Sequence, residues 1–370
     1  MRLWALVAVF AVALSIPLLR TDPQTQLTPA PDLPTVRARP VVYAIDFADE
    51  RHGYALSGRC TTLCQSKLLV TEDGSKWVTK SFSLRELAAP KRLVGRITAF
   101  GAGRLMITDA DDRYYSNDSG QTWSPVSSDP NQSVEEIPAD AVLETDCVDE
   151  VAVANSRPKC LKRRIVVTLP DTGERALLAR PPEIDNPQPE PRPADDGSWW
   201  VSGREADTGR WVVASSRDGG RTWTNGELPV PNGLVIDTLS GAGSGLNRYL
   251  LATGWLPDAM EPSNLVAIFR SVDGGAHWVE TWRGNGKAPR TVGGNAIVTA
   301  DGGLLLAPVD VGPIYRSLDG GTTFNPMMDG PRLNSVRRTR SGYLAMTSDQ
   351  PTSRFLRSPD GVQWSPVTVS

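Results

Sequence analysis

Few residues of this chain have the types and spacing to do chemistry. Histidine occurs only at His52, in the turn Asp49-Glu-Arg-His52-Gly53, and at His277, four residues after Asp273. A Ser-His-Asp relay or a zinc site needs a histidine with close polar partners of the right kind, and the simplest role for both of these is structural or exposed. The run Asp109-Ala-Asp111-Asp112 begins like a calcium loop but has no glycine at the sixth position and no glutamate at the twelfth. It reads as a solvated hairpin turn. Of the four cysteines, Cys60, Cys64, Cys147 and Cys160, no two have C-x-x-C spacing, which argues against a thiolate metal cage. Three disulfide pairings are formally open, and proximity favours Cys60 with Cys64 and Cys147 with Cys160. There is no G-x-S-x-G, no phosphate-binding loop and no dinucleotide fingerprint, so neither cofactor nor metal is expected.

The elements that would position any site are set by a repeat. Four segments fit one template: Ser116-Asn-Asp118-Ser-Gly120-Gln-Thr122-Trp123, Ser216-Arg-Asp218-Gly-Gly220-Arg-Thr222-Trp223, Ser271-Val-Asp273-Gly-Gly275-Ala-His277-Trp278 and Ser317-Leu-Asp319-Gly-Gly321-Thr-Thr323-Phe324. Two shorter cousins run from Asp73 to Trp77 and from Asp360 to Trp364. In such a turn the Asp carboxylate accepts backbone N–H groups, Gly supplies positive φ, and the aromatic opens the next strand. Short β-branched or aromatic runs precede each turn, as in Trp211-Val-Val-Ala-Ser-Ser, and more strand-like runs lie upstream. Four short strands per repeat predict an all-β, seven-bladed β-propeller of antiparallel blades.

The repeat Asp residues are spaced by 45, 100, 55, 46 and 41 positions, and the long gap is twice the others. Its midpoint, Arg164-Ile-Val-Val-Thr-Leu-Pro-Asp171-Thr-Gly173, reads as a degenerate turn in a third blade of about residues 141–180. Seven blades then fill residues 41–370. The first begins with its innermost strand, Val41 to Phe47, and the last ends with its outermost, Gln363 to Val369. Ring closure therefore rests on packing, unless Thr35 to Arg39 adds a strand. One helical turn is expected, from Ser83 to Ala89.

Residues 1–20 read as a signal peptide or an N-terminal membrane anchor, because residues 3–19 carry no charge and Arg2 precedes them. The small-x-small sites Ala11-Val-Ala13 and Ala13-Leu-Ser15 lie inside the apolar run, so anchoring and secretion after cleavage both stay open. Residues 21–40, with Pro23, Pro29, Pro31, Pro34 and Pro40, form a tether. Export agrees with the cysteine pairs and places the domain outside the cytoplasm. A net charge of −3 leaves no basic surface for nucleic acid. Seven of the 39 basic residues are Lys, and this Arg bias fits a high-GC, bacterial source.

The four full boxes resemble the Asp-box (BNR) repeat β-propeller superfamily, which includes sialidases, sortilin-type receptors and exported propellers similar to photosystem II assembly factors. The resemblance spans residues 41–370. It implies that the boxes lie between the third and fourth strands of each blade, on the rim and away from the ligand face. Sialidase activity, as the resemblance implies it, takes three Arg on a carboxylate and a Tyr nucleophile paired with a Glu, with an acid/base Asp. Arg39, Arg337 beside Arg338 and Arg340, and Tyr343 are the residues that could serve, although Arg39-Pro40 lacks the Ile of the family's Arg-Ile-Pro motif. That set is incomplete. The sequence therefore points to an exported, monomeric, non-catalytic propeller that binds a protein or a glycan, with an exo-sialidase or related glycoside hydrolase as the alternative. Candidate binding surface lies in the long connections Ser124 to Asp140, Arg180 to Pro193 and Trp255 to Pro262. The Trp residues outside the boxes, Trp199, Trp200, Trp211, Trp255 and Trp282, could also contribute.

Overall fold

The computed structural model describes residues 40–60, 64–80, 95–109, 112–152, 159–244, 246–255, 263–284, 295–308, 313–328, 330–347 and 355–369. The expected N-terminal anchor and tether, the turn at Ser83 to Ala89 and a strand at Thr35 to Arg39 all lie outside these residues.

Alternating apolar runs punctuated by Gly-rich turns fold into seven four-stranded sheets, with no helix among the described residues. Blade 1 holds β1 (Val41–Phe47), β2 (Gly53–Cys60), β3 (Cys64–Thr71) and β4 (Val78–Lys80). Blade 2 holds β5 (Arg96–Gly101), β6 (Arg104–Asp109), β7 (Asp112–Ser116) and β8 (Ser124–Val126). Blade 3 holds β9 (Gln132–Val134), β10 (Val142–Val151), β11 (Lys159–Thr168) and β12 (Arg175–Leu178). Blade 4 holds β13 (Ile184–Pro189), β14 (Trp199–Glu205), β15 (Trp211–Ser216) and β16 (Thr224–Glu227). Blade 5 holds β17 (Val235–Ser244), β18 (Asn247–Trp255), β19 (Ser263–Ser271) and β20 (Val279–Arg283). Blade 6 holds β21 (Ala296–Val298), β22 (Leu304–Leu306), β23 (Ile314–Ser317) and β24 (Asn325–Met327). Blade 7 holds β25 (Leu333–Thr339), β26 (Gly342–Thr347), β27 (Phe355–Ser358) and β28 (Ser365–Pro366). This is a β-propeller.

Each box turn joins the third and fourth strands. In blade 5 the Ser271 hydroxyl donates to Asp273 Oδ1 at 2.8 Å and accepts the buried Gly275 N–H at 2.8 Å. Asp273 in turn accepts the His277 N–H, and the Trp278 indole N–H closes on the Gly275 carbonyl. His277 reaches Asp273 Oδ2 at 2.7 Å, in the place of the Thr hydroxyl of other boxes. Gly275 has a φ of +94°, and a Cβ there would stand 2.3 Å from the Trp200 ring of the preceding blade. A box glycine is thus a bearing surface as well as a turn. Around it the blades pack face to face, for example Leu56 and Leu68 against Ile97 and Leu105, or Trp200 edge-on to Trp278 at 5.9 Å.

Blade 3 departs from the pattern. Its spatial order is β10-β11-β12-β9, with β9 running parallel to β12 as the outermost strand. The turn at Asp171 lies on the box face: the Tyr115 hydroxyl donates to the Pro170 carbonyl, and Asp171 pairs with Arg104 beside the first hairpin of blade 2. Gly173, at φ +71°, sits against Tyr115 as a box glycine would, while the Ser and the aromatic are absent. However, this turn joins the second and third strands of its sheet. Register fixes the consequence: Val142, Thr168 and Arg175 lie at the box end, so the innermost strand β10 runs away from the boxes. The innermost strands of the other six blades run toward them. Blade 3 lacks the usual first strand and gains β9 outside, from the stretch 124–140 expected to be a plain connection.

Closure between blades 7 and 1 shares no strand among the described residues. Ile45, Phe47 and Leu69 pack against Leu344 and Phe355. Arg357 stacks 4.6 Å above the Phe47 ring and donates to the Glu50 carbonyl at 2.7 Å. Both disulfides form, Cys60–Cys64 and Cys147–Cys160. Each staples a hairpin that leaves its blade on the face opposite the boxes.

Trp223 is only half-buried and sends its indole N–H to the Arg180 carbonyl, whereas Trp278 is 6% exposed. Trp278→Ala should therefore cost about 3–5 kcal/mol and Trp223→Ala less. Ser271→Ala, which strands the Gly275 N–H, should cost about 1–3 kcal/mol. Chemical unfolding of the three variants checks this order, and equal losses for the two Trp variants would contradict it.

Candidate functional site

Seven innermost strands enclose a channel of about 960 Å³, and its wall is unlike the rest of the protein. Eight arginines reach it, Arg96, Arg113, Arg163, Arg175, Arg192, Arg248, Arg337 and Arg338, against the three carboxylates Asp46, Glu144 and Glu190. A chain of net charge −3 has therefore gathered positive potential at its centre. No Asp-box residue lines this cavity.

Most of these groups are held in place. Asp46, 2% exposed on β1, accepts the Ala99 N–H of β5 at 2.9 Å and faces Arg337 at 3.3 Å and Arg192 at 3.6 Å. Arg113 donates through both terminal nitrogens to Glu144 at 3.0 Å, and Arg96 adds a bond at 2.9 Å. Burial alone would raise the Glu144 pKa, but these guanidinium groups hold its carboxyl below the usual range. Arg248 lies over Trp200 at 4.6 Å and pairs with Asp196 at 2.7 Å.

The box end of the channel is crossed by the end of β13 and the residues that follow it. The run Pro187-Gln188-Pro189-Glu190-Pro191-Arg192-Pro193 alternates proline with long polar side chains. Proline has no N–H, so an extended strand built this way has few donors to satisfy, and that of Glu190 goes to the Trp200 carbonyl of β14 at 2.9 Å. Its polar residues reach in turn to neighbouring blades. The Gln188 amide oxygen accepts the Leu239 N–H at 2.7 Å, and Glu190 accepts the Gly241 N–H at 2.6 Å. The Pro191 carbonyl accepts the Leu143 N–H at 3.0 Å, and Arg192 donates to the Ala99 carbonyl at 2.7 Å. Arg338 of blade 7 donates to the Pro193 carbonyl and to Asp195. The stretch Arg180 to Pro193, expected to be a long connection, instead supplies the first strand of blade 4 and a bar across the channel. Its strict Pro-x alternation was the signal that could have revealed this.

Glu190 keeps some surface open to the channel, yet the enclosing protein pushes its carboxyl up to about 7; the Gly241 N–H and the charges of Arg248 and Arg338 only partly offset that burial.

Of the residues considered for glycoside chemistry, Arg39 lies outside the described residues. Arg337 faces the channel and donates to the Ile45 carbonyl at 2.5 Å. Tyr343 is 8% exposed and spends its hydroxyl on the Val298 carbonyl at 2.7 Å, and burial raises its pKa. Trp199, Trp200 and Trp211 are buried, and Trp282 packs edge-on to Phe324 at 6.3 Å. Trp255, 37% exposed at the end of β18, is the Trp most open to a ligand among these five.

Residues 114–125 match the BNR/Asp-box repeat family. With the seven-bladed ring, this makes the chain a β-propeller carrying Asp-box repeats. Similar solved structures include YCF48 bound to D1 peptide, 16% identical over 91% of this chain and 87% of that one, with a TM-score of 0.33. A Mycobacterium tuberculosis puromycin-hydrolyzing peptidase is 13% identical over 90% of this chain and 53% of its own, with a TM-score of 0.48. A Penicillium chrysogenum alpha-L-arabinanase complexed with arabinobiose is 12% identical over 86% of this chain and 90% of its own, with a TM-score of 0.37. No curated protein matches the sequence.

Two consequences are measurable. Asp46→Ala leaves two guanidinium groups facing a vacated, enclosed site and should cost about 3–5 kcal/mol in unfolding. Glu190 titrates near 7 folded against about 4.5 unfolded, so the folded state holds the extra proton and stability falls as pH rises through that window. Glu190→Gln keeps an acceptor for Gly241 and removes the charge. Its melting temperature should exceed the parent's at pH 8 and match it at pH 5; a parent profile that is flat between these values contradicts the assignment.

Proposed function

We propose that the protein is an exported, non-catalytic propeller that binds a protein or glycan ligand at the channel, from the face opposite the Asp boxes. The observation that carries this reading is the wall itself: a surplus of arginines, most of them tied to carboxylates and backbone carbonyls. Such an arrangement offers a fixed positive surface with little reorganisation on binding. The bar across the box end leaves the opposite mouth as the approach. Two stapled hairpins on that mouth favour an oxidising compartment outside the cytoplasm. Residues 3–19 would serve as a membrane anchor or be removed on secretion, and the propeller acts as a monomer.

Arrays of peptides and of acidic and neutral oligosaccharides should yield binders that weaken with salt. Combining Arg96→Glu with Arg163→Glu should lower their affinity by about tenfold or more. Turnover of a fluorogenic sialoside that disappears in Tyr343→Phe would overturn the reading in favour of a glycoside hydrolase using Arg39, Arg337 and Tyr343.

A further inference from the structure

The strand that blade 3 lacks defines a place for something else. In the six other blades a strand running toward the box face forms the innermost layer; in blade 3 that layer is β10, a strand of the opposite sense. The inner edge of β10 therefore meets the channel where another strand would lie. The Leu143 N–H points to this edge, away from β11, and is taken by the Pro191 carbonyl of the bar. Alternation along an antiparallel pair turns the N–H and C=O groups of Thr145 and Cys147 to the same edge. Of these three residues, Leu143 alone has its backbone N–H engaged there among the described residues. The cavity lining near this strand also includes Arg96 of blade 2 and Arg163 of blade 3, with Arg113 and Arg175 buried behind β10.

We propose that an extended acidic peptide segment of a partner protein adds to the inner edge of β10, antiparallel to it, and completes blade 3 as a fifth strand. The inference rests on the protein-binding side of the function proposed above. Unpaired N–H and C=O groups select an extended polypeptide, because strand addition satisfies them in register. The charge of the lining selects an acidic one. Arg163 is exposed and has no ion pair among the described residues, and the Arg96 side chain is 66% exposed beside its partner Glu144. Running antiparallel to β10 gives the peptide the direction of the other six innermost strands. It would enter at the open mouth between the stapled hairpins of blades 1 and 3 and stop at the bar, where Pro191 already occupies Leu143.

The test uses fluorescein-labelled octapeptides alternating glutamate with valine, serine or tyrosine, lysine-for-glutamate counterparts, and versions N-methylated at alternate backbone nitrogens. Fluorescence anisotropy should show the acidic peptides binding at least about tenfold more tightly than the lysine ones. One N-methylation frame should lose at least about tenfold while the other does not, since only one edge of the added strand pairs with β10. Bound peptide should slow amide exchange at Thr145 and Cys147, and Thr145→Pro should abolish binding. If Thr145→Pro fails to fold, the N-methyl frames and the exchange rates still decide. Absence of peptide binding, or binding indifferent to both N-methyl frames, overturns strand addition. An acidic oligosaccharide that binds when no peptide does would also overturn it while leaving a binding propeller in place. Sialoside turnover lost in Tyr343→Phe would sink the binding reading itself.

Discussion

A glycine without a side chain is what lets blades 2 to 7 each rest on the one before. The box Ser and Asp draw the turn tight enough to bring Gly275 onto Trp200, Gly120 onto Leu68 and Gly321 onto Tyr249. Everything larger would hold the faces apart, so the hydrogen bonds inside the turn and the apolar packing between blades are one constraint seen twice. The bonds also set the electrostatics of the turn. The Thr222 hydroxyl and N–H and the Ser216 hydroxyl hold Asp218 at about 2, so the turn keeps its charge through neutral and mildly acidic pH. Blade 3 shows what is dispensable: Gly173 keeps the seat against Tyr115 although the Ser and the aromatic are gone.

Around that rigid ring, charge is sorted by radius. The boxes place carboxylates on the rim, and eight arginines from several strands turn toward the channel. Inside, the guanidinium groups come from five of the seven blades and are cross-tied by one short segment that reaches the innermost strands of five others. Asp46 on β1, Ala99 on β5, Leu143 on β10, Leu239 on β17 and Arg338 on β25 all meet residues 188–195. A lattice of this kind favours a preformed surface over one that reshapes around its ligand.

The ring was legible in the sequence because its signal is local. Each box carries its turn chemistry within eight residues, and seven four-stranded blades follow from spacing alone. The disulfides were legible for the same reason, since both partners belong to one hairpin. The channel was not. Arg192 acts through Ala99 and Asp46, residues far away in the chain, and no local pattern announces such a meeting. Strand order in blade 3 escaped for a related cause: the turn at Asp171 keeps its local form, while the identity of the strands beside it depends on β9, contributed by residues that precede the blade. Tyr343 stood next to an arginine cluster in sequence, and the fold sends its hydroxyl to a backbone carbonyl instead.

Blade 3 also bears on how such a ring could have been assembled by duplication. Where every strand of a blade comes from one continuous stretch, a copy can be inserted or deleted at a blade boundary without disturbing its neighbours. The outermost strand of blade 3 is encoded upstream of its innermost one, across residues that also touch the box of blade 4 through Glu136 and Ile137. Blade 3 still comes from one continuous stretch, β9 to β12, but a copy of it set elsewhere in the ring would lack the Arg221 and Gly219 partners that Glu136 and Ile137 find in the next blade.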